Sequence, residues 1–434
     1  MSQYRTPILF GGVALLFILT GVLQSWNLSL SILTMGLLSA IMAMGVNMQW
    51  GYAGLFSTGI VGSVALGGLG VVLVAAKPAP EGLAAGGWGI VAALIFAAVG
   101  IVAAVLAWPR MKPGRMRAAL LVVYLIVLFW VYRTILDPAV TAVEANDPTR
   151  AGNIGGLGWN AILGWPVGAL FAGLAAWIIG KIALGLRTDY LAIATLGIAE
   201  IVLMVLKNED WLARGVKNLG IESRPWPVPY EVDLQVAPWF LTIVQDWGLN
   251  PTTASTILVK LLYCGLFTLV LLALVWMSER ALHSPWGRMM RAIRDNEVSA
   301  AAMGKNVTRR HLQIFIIGSA VVGLAGAMMT SMDGQISPGS YQPLRYTFLI
   351  WIMVIVGGSG NNWGSVLGGL LIGWLYLAVE FLGPGILRHV VSVLPFPVTE
   401  DSLKDISAHT RLITLGVVLL MVLRFSPKGL LPER

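Results

Sequence analysis

The chain has 434 residues, 57% hydrophobic and 12% charged, about half the charged share of an ordinary soluble domain. Its one cysteine, Cys264 in an apolar run, excludes an intrachain disulfide and any multi-cysteine metal site. His283, His311, His389 and His409 form no pair at metal-ligand spacing, and a net charge of +8 fits basic loops flanking membrane spans better than a nucleic-acid surface.

A helix crosses the hydrocarbon core with about 20 apolar residues. On that measure the chain is predicted to be an all-α polytopic membrane protein, one transmembrane domain over 1–434 with ten to twelve spans. In chain order the candidates are 7–25, 28–49, 54–76, 87–108, 118–136, 165–185, 190–206, 256–277, 311–331, 345–357, 365–382 and 410–424. The first apolar run, Pro7 to Leu23 behind Arg5, is too long for a signal-peptide core and meets no Ala-x-Ala site, so it reads as a retained span. The third opens on Gly51, Gly54, Gly59 and Gly62, the mark of a broken or re-entrant helix. Segment 77–160 supplies two spans and no recognisable chemistry. Segment 207–255 carries six acidic and four basic side chains, and its Pro225-Trp-Pro-Val-Pro229 run cannot be helical. It is expected to be a solvated outer loop and a candidate docking surface. The tenth and eleventh spans are short and joined by Gly357-Gly-Ser-Gly-Asn-Asn-Trp-Gly364, so each reads as a half-helix.

Alternating the spans from a cytoplasmic N-terminus puts Arg5, 109–117, Lys181 with Arg187, 278–310 and the tail from Arg424 inside. Those stretches hold 17 of the 29 basic residues and 5 of the 21 acidic ones, as the positive-inside rule requires.

The loop from Ser284 to Gly304 is the one extended charged stretch with helical patterning, and it reads as a single basic helix. Pro285 suits a first turn, Arg288, Arg291 and Arg294 recur on one face, and Asp295 and Glu297 adjoin them. Ala300, Ala301, Ala302 and Gly304 then offer a low surface that a partner backbone can approach. By residues alone the loop is either a protein-docking element or a basic loop resting on anionic lipid. No nucleotide-binding glycine loop exists, since Gly180-Lys181 is followed by Ile182 and Gly304-Lys305 by Asn306. No nucleophile–base pair or carboxylate dyad emerges either, so the chain is expected not to be an enzyme.

Glu200 is an acidic side chain near mid-span, about 15 Å deep at 1.5 Å per residue. It lines a polar path, anchors an interhelical hydrogen bond or is protonated and structural; Asn47 and Gln49 raise the same choice. The small-x-x-x-small pairs Gly164/Gly168, Gly364/Gly368 and Gly369/Gly373 predict close helix packing. The clusters at Gly51–Gly70 and Gly357–Gly369 can instead break helices beside a substrate path. Candidate path residues are Gly51, Gly54, Ser57, Glu200, Gly357, Gly358 and Gly360.

Four stretches carry a family resemblance: Met44-Gly-Val-Asn-Met-Gln-Trp-Gly-Tyr-Ala-Gly-Leu-Phe-Ser-Thr-Gly59; Leu186 to Ile201; Ser284 to Gly369; and Arg411 to Leu430. The third contains Arg-Ala-Ile-Arg-Asp-Asn-Glu (291–297), Gly323-Leu-Ala-Gly326, Ser337-Pro338 and Val356-Gly-Gly-Ser-Gly360; the fourth ends in Pro-Lys-Gly-Leu. In order and spacing they resemble the LivM-type permease subunit of bacterial branched-chain amino acid ATP-binding-cassette importers. Two places depart from that pattern. Ser57-Thr-Gly-Ile-Val61 stands where the family has a His-containing run, and Ala213 to Gly220 where it has Thr-Gly-Gly. The resemblance implies a multi-pass inner-membrane permease with both termini cytoplasmic, and 77–160 as an added segment. It implies a second homologous permease, two cytoplasmic ATPases and a periplasmic binding protein as partners. ATP would be used by the ATPases, with no cofactor in this chain. It makes Arg288, Arg291, Arg294, Asp295, Glu297 and Gly304 the coupling residues that dock on the ATPase. A urea or short-amide importer of the same build and an ion-coupled carrier are the competing expectations.

Overall fold

A computed structural model describes residues 4–111, 114–146, 152–393 and 400–433. The spans are α1 (Arg5–Leu23), α2 (Trp26–Ala53), α3 (Ile60–Ala75), α4 (Trp88–Ala107), α5 (Arg115–Ala145), α6 (Ala161–Ala183) and α7 (Thr188–Asn208). After short α8 (Glu231–Val236) and α9 (Pro238–Asp246) come α10 (Pro251–His283), the paired α11 (Pro285–Asp295) and α12 (Glu297–Ala302), and α13 (Val307–Asp333). The chain finishes with α14 (Leu349–Gly357), α15 (Asn362–Val393) and α16 (Glu400–Phe425). Among the described residues nine helical segments are long and apolar enough to span a membrane, and 60–75, 345–357 and 413–425 are shorter apolar helices. Together they account for the twelve apolar runs. The lone sheet among the described residues is two residues per strand, β1 (Leu219–Gly220) antiparallel to β2 (Gln335–Ile336).

The centre is α2, α3, α6 and α13, with α15 and α10 against α2. Lipid gives no hydrophobic drive between helices, so closeness has to come from small residues. A side chain at Gly67 would meet the Gly323 carbonyl oxygen at 1.9 Å, and one at Gly369 would meet Ala40 Cα at 2.4 Å. The predicted small pairs behave alike, Gly164 against Val71, Gly168 against Gly67, and Gly373 against Gly36.

Two expectations need correction. The eleventh span is no half-helix: α15 runs unbroken from Asn362 to Val393, because Gly364, Gly368 and Gly369 serve close packing on Gly357 and Ala40 rather than a break. The 284–304 loop is two helices and not one. Asn296 ends α11 in extended geometry, and its side chain accepts from Ser299 N at 2.9 Å to cap α12. The third span is broken as predicted. Left-handed Gly54 (φ 68°) terminates α2, residues 54–59 are non-helical, and α3 restarts at Ile60.

Helices α4 and α5 stand apart as a hairpin. They pack chiefly on each other and on Trp211, around Ile90, Ala93, Leu136, Ala139 and Val143. Their remaining surfaces are exposed apolar side chains.

Candidate functional site

The break between α2 and α3 strands backbone groups inside an apolar bundle, where each unsatisfied group costs several kcal/mol (order of magnitude). Neighbouring side chains satisfy them. Thr58 N donates to Thr195 Oγ1 (3.1 Å), and Thr58 Oγ1 donates to the Ala192 carbonyl (2.6 Å). The Trp351 indole donates to Ser57 O at 3.1 Å, and Thr347 Oγ1 to Thr58 O at 3.2 Å. One turn back, Gln49 Nε2 donates to Ser319 Oγ (2.9 Å) and Phe315 O (3.2 Å). These groups surround a cavity of about 20 Å³ lined by Gln49, Ser57, Ser63, Thr195 and Ser319 among apolar neighbours. That is room for about one water, so nothing larger passes here in this conformation.

At the basic end of the bundle a second set of polar groups converges. Asn47 Oδ1 accepts from Gly360 N at 2.8 Å, and Tyr52 hydrogen-bonds Asn362. Asn362 Nδ2 in turn donates to Glu279 Oε1 at 2.8 Å. The tail folds under this junction, with Leu431 N donating to Gly357 O at 2.9 Å and Leu430 N to Val356 O at 2.8 Å. Arg294 closes it. Its guanidinium donates to the Gly51 carbonyl and pairs with Glu433 at 2.8 Å. Burial works against the Arg294 charge, but the hydrogen bond and charge of Glu433, then Asp295, outweigh it and hold its pKa above the ordinary value. A cleft of about 530 Å³ opens beside the junction, with Glu279, Arg291, Asn362 and Glu433 on its walls.

The structure therefore gathers Gly51, Gly54, Gly357, Gly358 and Gly360 around Arg294 and the tail, and places Ser57 in the break one level further in. Glu200 is apart from both. It is half-buried on α7, makes no hydrogen bond or ion pair with the described residues, and does not line the small cavity. The arginines of the 284–304 loop turn back on their own chain: Arg288 donates to His283 O at 3.2 Å and Arg291 to Leu282 O at 3.3 Å. The exposed side chains of the loop include Asp295, Glu297, Val298, Ala301, Ala302 and Met303, with left-handed Gly304 (φ 75°) ending the run. Val298 and Met303, each 80% exposed, were not singled out by sequence, which does not tell them from the buried Met290 and Ile293 of the same loop. Sequence reasoning also missed Glu433 and Glu279, whose roles depend on contacts with residues far along the chain. Lys260 lies within α10, with its ammonium bound to Asn27 and to Ser31 Oγ at 2.6 Å. Among the described residues no group of three His, Cys, Asp or Glu is placed to hold a metal.

The family described as branched-chain amino acid transport system / permease component matches residues 149–423, more than half of the chain. The chain belongs to that permease family. It is 28% identical over 281 residues to the high-affinity branched-chain amino acid transport system permease protein LivM of Escherichia coli K12, covering 64% of this chain and 58% of that one. It is 27% identical over 274 residues to the probable LivM of Methanocaldococcus jannaschii, covering 63% and 66%. The E. coli permease protein LivH is 23% identical over 217 residues, covering 50% and 64%. The chain thus spans about three-fifths of the length of the curated relatives it matches. No solved structure matches it. The family and the apolar helices make this a multi-pass membrane permease, and both the break and the Arg294 junction include residues within the matched region.

Proposed function

We propose that the chain is the permease subunit of an ATP-driven importer for branched-chain amino acids. It pairs with a second, homologous permease and is driven by two ATPases that bind the α11–α12 side. A soluble binding protein delivers substrate at the opposite end, where 209–250 lies. The reading places the basic end, both termini included, in the cytoplasm of a cell whose inner membrane holds the protein. The observation that carries it is the contact of Arg294 with the Gly51 carbonyl and Glu433. Through it an exposed helix pair touches the end of α2, and α2 leads straight into the break at 54–59. Pushing or pulling α11 therefore moves the broken segment, which is how a chain lacking a nucleotide site can be driven by a partner that has one. A pathway closed at about 20 Å³ fits a resting permease awaiting that push.

The test is uptake into vesicles containing the chain, its sister permease, both ATPases and the binding protein. Leucine is expected to accumulate with ATP and to stop when the ATPases are omitted. Accumulation driven by an ion gradient alone, or ATP-driven uptake of urea without leucine, overturns the assignment.

A further inference from the structure

We propose that residues 230–249 form an in-plane membrane anchor whose apolar edge sits at the headgroup–acyl boundary of a zwitterionic bilayer. Val232 and Val236 lie four apart on α8, and Trp239 and Ile243 four apart on α9 with Trp247 at its C-cap; Ala237 between the helices is extended, and all five apolar side chains are between 45% and 74% exposed. Helix α9 has three faces. Phe240 and Val244 are buried in the same core as Val259 and Tyr263 of α10. Thr242 and Gln245 are exposed and polar, while Asp246, seven residues on from Trp239, ends the helix on the same side as that tryptophan. At about 100° per residue the Trp239–Ile243 edge lies between the two, roughly a quarter-turn from each. A helix standing free in water needs no such third face, whereas one lying where protein, lipid and water meet needs all three.

The height of the segment is fixed independently. Gln235 Nε2 donates to Ser255 Oγ at 2.9 Å, which holds α8 level with the first turn of α10. The apolar run of α10 begins just below, and one to two turns down Lys260 reaches Asn27 at the first turn of α2. Helix α10 has 33 residues, about 50 Å, against a hydrocarbon core of roughly 30 Å, so it is long enough to carry its polar first turn into the headgroup layer. Further along α10, Leu261, Leu269, Leu272 and Trp276 form an exposed apolar row, the kind of surface a bilayer covers. Tryptophan favours this depth because its ring is apolar and its N–H polar. Nearby acids (Glu222, Glu231, Asp233, Asp246) outnumber Lys77 and Arg224, which pair with Glu222 and Glu231, and this favours a zwitterionic over an anionic headgroup.

The test uses the full chain in phosphatidylcholine vesicles. Nitroxide labels are placed on Val236→Cys, Ile243→Cys and Gln245→Cys, and collisions with oxygen and with a water-soluble nickel chelate are compared. Labels at 236 and 243 are expected to be oxygen-rich and nickel-poor, with a contrast several-fold that at 245. Equal nickel access at all three positions means the edge faces water and overturns the proposal. Exclusion of both reagents at 236 and 243 means protein covers the edge, and overturns it as well. Cys264 is buried, so each variant is read both with it and with Cys264→Ala; agreement between the two backgrounds excludes a folding artefact.

Discussion

Arg294 sits where a charge is expensive unless held, with its side chain 24% exposed, and it is held on two sides. The fork of the guanidinium lets one side chain reach a carbonyl and a carboxylate at once, which a lysine ammonium does less well. Replacing Arg294 with Ala leaves Glu433 and the Gly51 carbonyl without that partner, a cost of roughly 2 kcal/mol. If this contact transmits force, Arg294→Ala is expected to cut uptake while insertion and ATPase binding persist, and Arg294→Lys to fall between. Glu433→Ala should be nearly as damaging, and the double variant little worse than either single one. A double variant whose losses add would show two independent roles and sink the joint. Sequence spacing found Arg294 as one of three arginines on a helix face. It did not reveal that Arg294 reaches across to Gly51 and Glu433, since periodicity assigns faces and not neighbours. Glu433 was out of reach for the same reason, being far from Arg294 along the chain.

At the scale of the element, the broken segment between α2 and α3 survives because specific side chains replace the missing helical hydrogen bonds. Thr195 is the most exacting of these, since its hydroxyl accepts from Thr58 N while donating to Ala192 O at 3.0 Å. Thr195→Val keeps the shape and removes both bonds, leaving a largely buried N–H unsatisfied at a cost of about 1–3 kcal/mol. Melting in detergent is expected to drop by several degrees for Thr195→Val and hardly at all for Thr195→Ser. Equal melting of the two variants would mean that the break is held by something else. Glycine content announced this break correctly, because Gly54 adopts a left-handed conformation that other residues avoid. The same signal misled at 364–369, where glycines sit inside a continuous helix and give up their side chains to let Gly357 and Ala40 approach. Glycine marks both uses, and only the neighbour distinguishes them. Asn296 was likewise hidden within a charged run, although asparagine is a preferred helix cap and therefore a boundary signal.

For the molecule as a whole, the segment 77–160 tests how far the permease depends on what surrounds its centre. Helices α4 and α5 enclose their own small core, and the chain leaves and returns at nearly the same place. Gly156 N donates to Lys77 O (3.2 Å), Gly158 N to Ala76 O (3.1 Å) and Trp159 N to Val74 O (2.9 Å), with Pro78 bridged to Gly155. None of those bonds uses the hairpin itself. Removing both helices also removes an even number of spans, so the orientation of everything downstream is preserved. The family match begins at residue 149, after the hairpin. Joining Pro78 to Asn153 through a short Gly-Ser linker is therefore expected to give a protein that inserts, assembles with its partners and transports at a rate within a few-fold of the full chain. The main structural loss should be local, at Trp211, which packs in the small core of the hairpin. Uptake by the shortened chain, normalised to the amount inserted, decides the matter. Retained insertion with abolished uptake would make the hairpin part of the transport machinery, and the bundle around α2, α3, α6 and α13 would then be an incomplete account of the permease.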